Sequence, residues 1–189
     1  MKDAKSALKW YLVVAVFGCV PATAQEAPLQ VAPTATEPIR QLTDAERVQQ
    51  DVRIVITGVY SADIDTVLSY THPKIITMMG GQDQAKSTLK SALAQLASSG
   101  IQIESLVFPE DPKLLKTHAH DFAIVPTKLI VSAQGKRIES LNFQFGIREI
   151  GAKTWTYIEG SRINKENVRQ LFPDFPTNYE FPNFYRKLL

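Results

Sequence analysis

The sequence predicts an α+β domain in which N-terminal helices pack in a curved, cone-like antiparallel sheet of four strands. Three observations carry this expectation. Apolar residues recur at helical spacing from Val48 to Leu96, the period switches to strict alternation after Gly100, and short turn signals separate the alternating runs.

Thr43-Asp44-Ala45-Glu46 has the form of a capping box, with a hydroxyl to accept from the third helical amide and a carboxylate to reach back. Val48, Val52, Val55, Ile56 and Val59 then form one apolar stripe, the first helix. Ser61 or Asp63 can cap a short second helix carrying Ile64, Val67, Leu68 and Tyr70. Pro73 disfavours helical geometry at His72 and ends it. Gly80-Gly81 lacks the Lys-Ser/Thr ending of a phosphate loop and reads as a turn. A third helix is expected from Asp83 to Ser98, with Gly100 as its C-terminal cap.

Ile101, Ile103, Ser105 and Val107 alternate with their neighbours up to Pro109, and 111–116 reads as a charged loop. The second strand runs from His120 to Ser132, broken or bulged at Pro126 because proline cannot donate to a ladder. After a turn at 133–136, the third strand places Leu141, Phe143, Phe145 and Ile147 on one face and Ser140, Asn142, Gln144 and Arg148 on the other. One face is expected to be buried, the other wet or functional. The fourth strand, Thr154 to Glu159, has Trp155 and Tyr157 on the same side. Asn164 can cap a last short helix with Val168 and Leu171, and the aromatic, proline-rich tail from Phe172 to Tyr185 is expected to run extended across an apolar surface.

The chain starts with Lys2, Lys5 and Lys9, an apolar run from Trp10 to Val20, and Ala22-Thr23-Ala24. That is the pattern of a secretory signal peptide over 1–24, cleaved before Gln25, which predicts an exported, periplasmic or secreted protein. A bilayer-spanning helix needs roughly 20 apolar residues, and Pro21 interrupts this run, so no transmembrane segment is expected in the mature chain. A second reading uses Cys19 for lipid attachment, although Phe17 is bulky where such signals place something small. Residues 25–42, with Pro28, Pro33 and Pro38, read as a flexible tether, and 43–189 as a single domain.

Cleavage after Ala24 removes three lysines and one aspartate, leaving 18 basic and 18 acidic residues and no cysteine. A neutral mature chain lacks the concentrated basic surface that a nucleic-acid partner requires. Without cysteine it has no thiol chemistry and no internal disulfide.

The segment Asp63 to Gly81, with Tyr70-Thr71-His72-Pro73 and its glycine pair, and the segment from Phe143 to Ile158, with Trp155, resemble the nuclear transport factor 2-like superfamily. That superfamily includes ketosteroid isomerase-like and SnoaL-like proteins. The resemblance spans Thr43 to Glu159 and implies a cone fold with a tryptophan-bearing strand in the closing hairpin. Its members include enzymes with a carboxylate or histidine base in the cone, and many that only bind or assemble. It transfers no catalytic residue to this chain.

Candidate chemistry rests on individual residues. His72, in a loop near the mouth of a cone, could act as a general base with Asp63 or Asp65 orienting it. The plainer reading, that His72 bonds a nearby backbone group and fixes the loop, is preferred because no partner is evident. Asp63 and Asp65 are equally explained as acids in the first turn of a helix. His118 and His120 would share one face of a strand, a spacing that can bind a transition metal given a third ligand, but no such ligand pattern is present, and no metal or cofactor is expected. Tyr70, Arg148, Trp155 and Tyr157 are the candidate ligand-binding residues, with core packing as the alternative for the aromatics.

Two functions follow. The first is an exported noncatalytic domain that binds a small apolar molecule or a protein partner through the cone mouth, the sheet face or the aromatic tail. The alternative is a small isomerase, dehydratase or hydrolase with His72 as base and Tyr60, Tyr70 or Tyr157 as donor. A homodimer joined through an exposed polar face bearing Asn142 and Gln144 is a further possibility.

Overall fold

The computed structural model describes residues 40–189, so the expected leader at 1–24, its Cys19 and nearly all of the expected tether lie outside the described residues. Helix α1 spans Asp44–Tyr60 and starts with the capping box, the Glu46 amide donating to Thr43 Oγ1 at 3.2 Å and the Thr43 amide to Glu46 Oε2 at 2.9 Å. Its stripe of Val48, Val52 and Ile56 is buried. Helix α2 covers Ile64–Tyr70 and α4 covers Gln82–Ser98.

Between them lies a helix that the apolar pattern does not announce, α3 over Pro73–Met78. Proline fits the first helical position because its missing amide proton would be unpaired there anyway and its φ is already helical. The residue that ends α2 therefore also begins α3, with His72 in extended geometry between them as N-cap.

The sheet has six strands rather than the expected four. They are β1 Gln102–Val107, β2 Lys113–Lys116, β3 His120–Ala133, β4 Lys136–Glu149, β5 Thr156–Glu159 and β6 Tyr185–Leu188. The main path is β1-β3-β4-β5, all antiparallel, with β2 also on β3 and β6 also on β4. The two additional strands, in the expected charged loop and at the end of the tail, are four residues each, too short to show a period of their own. Their conformation comes from the ladders they join.

β3 runs through Pro126 without a break, pairing it with Phe143. β1 reaches only Lys128 of β3 and β2 only Ile124, so Pro126 lies where that edge has no partner. On the other side, the Phe143 amide donates to Asn142 Oδ1 and its carbonyl faces Gly160, both away from β3. The missing N–H of Pro126 thus points into the gap between β1 and β2, and no ladder bond is lost.

Both faces of the central sheet are covered, which is why Phe122 to Thr127 are buried without alternation. On one face Val48, Val52 and Ile56 of α1 meet Ala123, Val125, Trp155 and Tyr157. On the opposite face Phe122, Ile124, Phe143, Phe145, Ile147 and Ile158 meet Val168 of helix α5 (Lys165–Leu171), together with Phe172 and Phe175. The tail is thus partly core: Phe172 is fully buried and packs its ring within 6 Å of His72, His120, Phe122 and Phe145. The tail is spent in part on internal packing, while Phe184 and Tyr185 near its end stay exposed.

The second face is sealed where the chain turns from β5 into the 3-10 turn Gly160–Arg162. A Cβ on Gly160 would sit 2.4 Å from the Phe143 carbonyl and 2.6 Å from its ring, so only glycine allows this approach. Among the described residues no helix is long and apolar enough to cross a membrane.

Candidate functional site

A cavity of about 1130 Å³ lies between the helices and β4. Helix α1 lines it with Val55, Ile56, Val59 and Tyr60, and α2 with Val67 and Tyr70. The sheet contributes a polar wall: Thr127 from β3 and Ser140, Asn142 and Gln144 from β4. The alternation of β4 decides this. Its odd positions carry the phenylalanines packed beneath the tail, so its even, polar positions turn to the opposite side. Asn142 and Gln144 therefore face the cavity rather than an outer dimer surface. The Asn142 side chain is held in place, donating to Glu159 Oε1 at 3.1 Å while accepting the Phe143 amide at 2.8 Å.

Two phenols of the lining, Tyr70 and Tyr157, meet a carboxyl, Asp51, that lies behind them and outside the lining. Tyr157 of β5 donates to Asp51 Oδ2 of α1 at 3.0 Å, and the Tyr70 ring centre is 6.2 Å from that of Tyr157. Burial pushes the Asp51 carboxyl above its ordinary range, against the opposing pull of the Tyr157 hydrogen bond. Burial, then the Asp51 charge, pushes both phenols up, so Tyr70 and Tyr157 remain protonated donors. Gly146 makes room for this cluster: a side chain there would meet the Tyr157 ring at 3.1 Å and Ala123 at 3.2 Å. Asp51 was not among the sequence candidates. Its signal was a carboxylate three residues after Val48 and four before Val55, on the buried stripe of α1.

The four expected ligand-binding residues separate into two pairs. Tyr70 and Tyr157 line the cavity. Arg148 and Trp155 do not; they form an ionic and aromatic clasp at the start of α1. Arg148 donates to both carboxylate oxygens of Asp44, at 2.9 and 2.8 Å, and to Asp121 Oδ2 at 2.6 Å, with its guanidinium 4.5 Å over the Trp155 ring. Its donors are committed to two aspartates, and the chief effect is to lock α1 to β3 and β4.

His72 is only 7 % exposed and does not line the cavity. Its Nδ1 accepts the Lys74 amide at 3.1 Å and its own amide donates to the Tyr157 carbonyl at 3.0 Å, so it caps α3 and ties the α2–α3 link to β5. Burial first, with the charges of Lys74 and His120, lowers its pKa to about 4. Asp63 is turned to a different task, accepting the Thr66 amide at 3.1 Å and the Thr66 hydroxyl at 2.7 Å as the cap of α2. The two residues expected to act together are caps of successive helices.

The two other histidines do not share a strand face. Residues 117–120 form a tight turn, with the Thr117 amide donating to the His120 carbonyl at 2.9 Å and the His120 amide to Thr117 Oγ1 at 3.1 Å. His118 is exposed at its tip, whereas His120 points inward, its Nδ1 2.9 Å from Asp174 Oδ1. Burial pushes the Asp174 carboxyl up, but the hydrogen bonds of Thr117, His120 and the backbone, with the His120 charge, together hold it below the usual carboxylate range. Among the described residues no three His, Cys, Asp or Glu side chains are grouped to hold a metal ion.

Neither a family model, nor a curated protein, nor a solved structure matches this chain.

Proposed function

We propose that this chain is an exported binding domain of nuclear transport factor 2-like type whose cavity holds a small, largely apolar molecule. The cavity carries the reading. Its volume of about 1130 Å³ lies just above the roughly 300–1,000 Å³ typical of small-molecule sites. Its lining also has the composition of such sites, aliphatic on the helix side with a few hydroxyl and amide groups on the sheet side that can orient a ligand. The order of helices before an antiparallel sheet supports the family assignment, and the leader pattern supports export.

The test is saturable binding of a neutral apolar fluorophore, N-phenyl-1-naphthylamine, to the mature chain. Ser140→Trp places an indole in the cavity from a half-buried position of β4. The expected result is one-to-one binding by the unaltered protein and at least a roughly tenfold loss in the variant, with the thermal transition preserved. Equal binding by a folded Ser140→Trp variant refutes the cavity as the site.

A further inference from the structure

Two arginines border the cavity where it meets solvent. Arg162 lies at the end of the 3-10 turn and Arg186 on β6, and both line the cavity and are exposed. Arg186 sits opposite Ser140 in the β4–β6 register, on the polar side of β4 that faces the cavity. It has no ion-pair or hydrogen-bond partner among the described residues. Its charge is felt at Tyr60, where it opposes the upward push of burial on that phenol. Among the described residues the Arg162 side chain has a single distant partner, Glu159 at 3.8 Å. Glu159 also lines the cavity and receives the Asn142 amide at 3.1 Å.

The rim therefore holds two guanidinium groups and one carboxylate, a net single positive charge. Behind it the wall becomes aliphatic, with Val55 and Val59 of α1 and Val67 of α2. A uniformly apolar ligand would leave the cations unused. A doubly charged head would be undercompensated by the net charge of one. Guanidinium matches the planar carboxylate in a two-point hydrogen-bonded arrangement.

From this arrangement, and resting on the cavity as the binding site, we infer that the ligand is a single-chain amphiphile with a carboxylate head. Its hydrocarbon tail lies among the valines of α1 and α2. Its head is held between Arg162 and Arg186.

The experiment measures displacement of N-phenyl-1-naphthylamine from the mature chain by four twelve-carbon probes: dodecanoate, dodecanol, dodecylamine and dodecyl phosphate. Dodecanoate is expected to bind at least roughly tenfold more tightly than dodecanol at low salt. That advantage should shrink as ionic strength rises, because the rim is exposed. In Arg162→Gln/Arg186→Gln the advantage should vanish. Since both side chains are exposed, an unchanged thermal transition is expected to show that the variant folds. Equal binding of dodecanoate and dodecanol, or an advantage that survives the double substitution, overturns the head-group assignment while leaving the cavity intact. Preference for dodecylamine overturns it in sign, and preference for dodecyl phosphate overturns the carboxylate. Failure of every probe, including the fluorophore, removes the cavity reading itself and the inference with it.

Discussion

Mild acid should weaken this domain through His72. The imidazole is almost wholly enclosed, edge-on to Phe172 at 5.2 Å, with Lys74 and His120 as charged or titratable neighbours. Burial, reinforced by these neighbours, takes its pKa from 6.5 in the ordinary state to about 4. Because the folded value lies below the unfolded one, the unfolded chain binds more protons between those limits. Stability is fully present above pH 6.5 and falls as the pH approaches 4. Each tenfold difference in protonation is worth about 1.36 kcal/mol, which sets a ceiling of ~3 kcal/mol, of which about 2 kcal/mol is lost by about pH 4.5, short of the folded value. That is a large share of a typical stability of roughly 5–15 kcal/mol. The assay is urea unfolding from pH 7.5 to 4.5 for the unaltered protein and for His72→Asn. Asparagine can still accept the Lys74 amide at the N-cap but does not titrate. The variant should be less stable at pH 7.5, and the difference should close by about 2 kcal/mol at the acid end. Parallel pH profiles, or a His72 ring resonance that titrates near 6.5, would refute the reasoning.

Phe172→Ala removes a fully buried ring that closes the sheet, and a loss of about 3–5 kcal/mol is expected. By calorimetry this lowers the melting temperature by roughly 6–20 °C for a domain of this size, whereas a surface tail would move it little. Arg148→Met keeps an alkyl stem over Trp155 but leaves Asp121, whose side chain is 15 % exposed, facing no guanidinium. Chemical unfolding should show a loss of about 3 kcal/mol, partly restored in Arg148→Met/Asp121→Asn. Gly160→Ala must move the Phe143 backbone and should cost at least about 1–3 kcal/mol in the same assay. Glu139 anchors β6 through Tyr185 and Lys187, and their hydrogen bonds, with that of Lys128 on β3, hold its pKa at about 2. Since that value is depressed from 4.5, the anchor is intact above pH 4.5 and released toward pH 2. Glu139→Gln should speed amide exchange at 186–188 at neutral pH while leaving exchange at 122–125 unchanged.

The sequence by itself determined what depends on neighbours a few residues apart. The box at Thr43 and Glu46, the cap at Asn164 and the stripe of α1 are interactions within one helical turn. The alternation of β4 needs only its own period of two. Tertiary structure decided what depends on partners far along the chain. Pro126 is tolerated because β1 and β2 happen to leave a gap beside it, and β2 and β6 are strands because β3 and β4 present edges to them. The candidate site belongs to this second group: Asp51 and Tyr157 are 106 positions apart, and the two rim arginines come from separate elements. His72 shows the boundary within one residue. Its proline neighbour marks a helix break locally, but only the packing of Phe172, a hundred residues later, buries the imidazole and keeps it neutral. Local propensity sets the conformation of a segment, whereas register and burial set which side chains meet and what protonation states they hold.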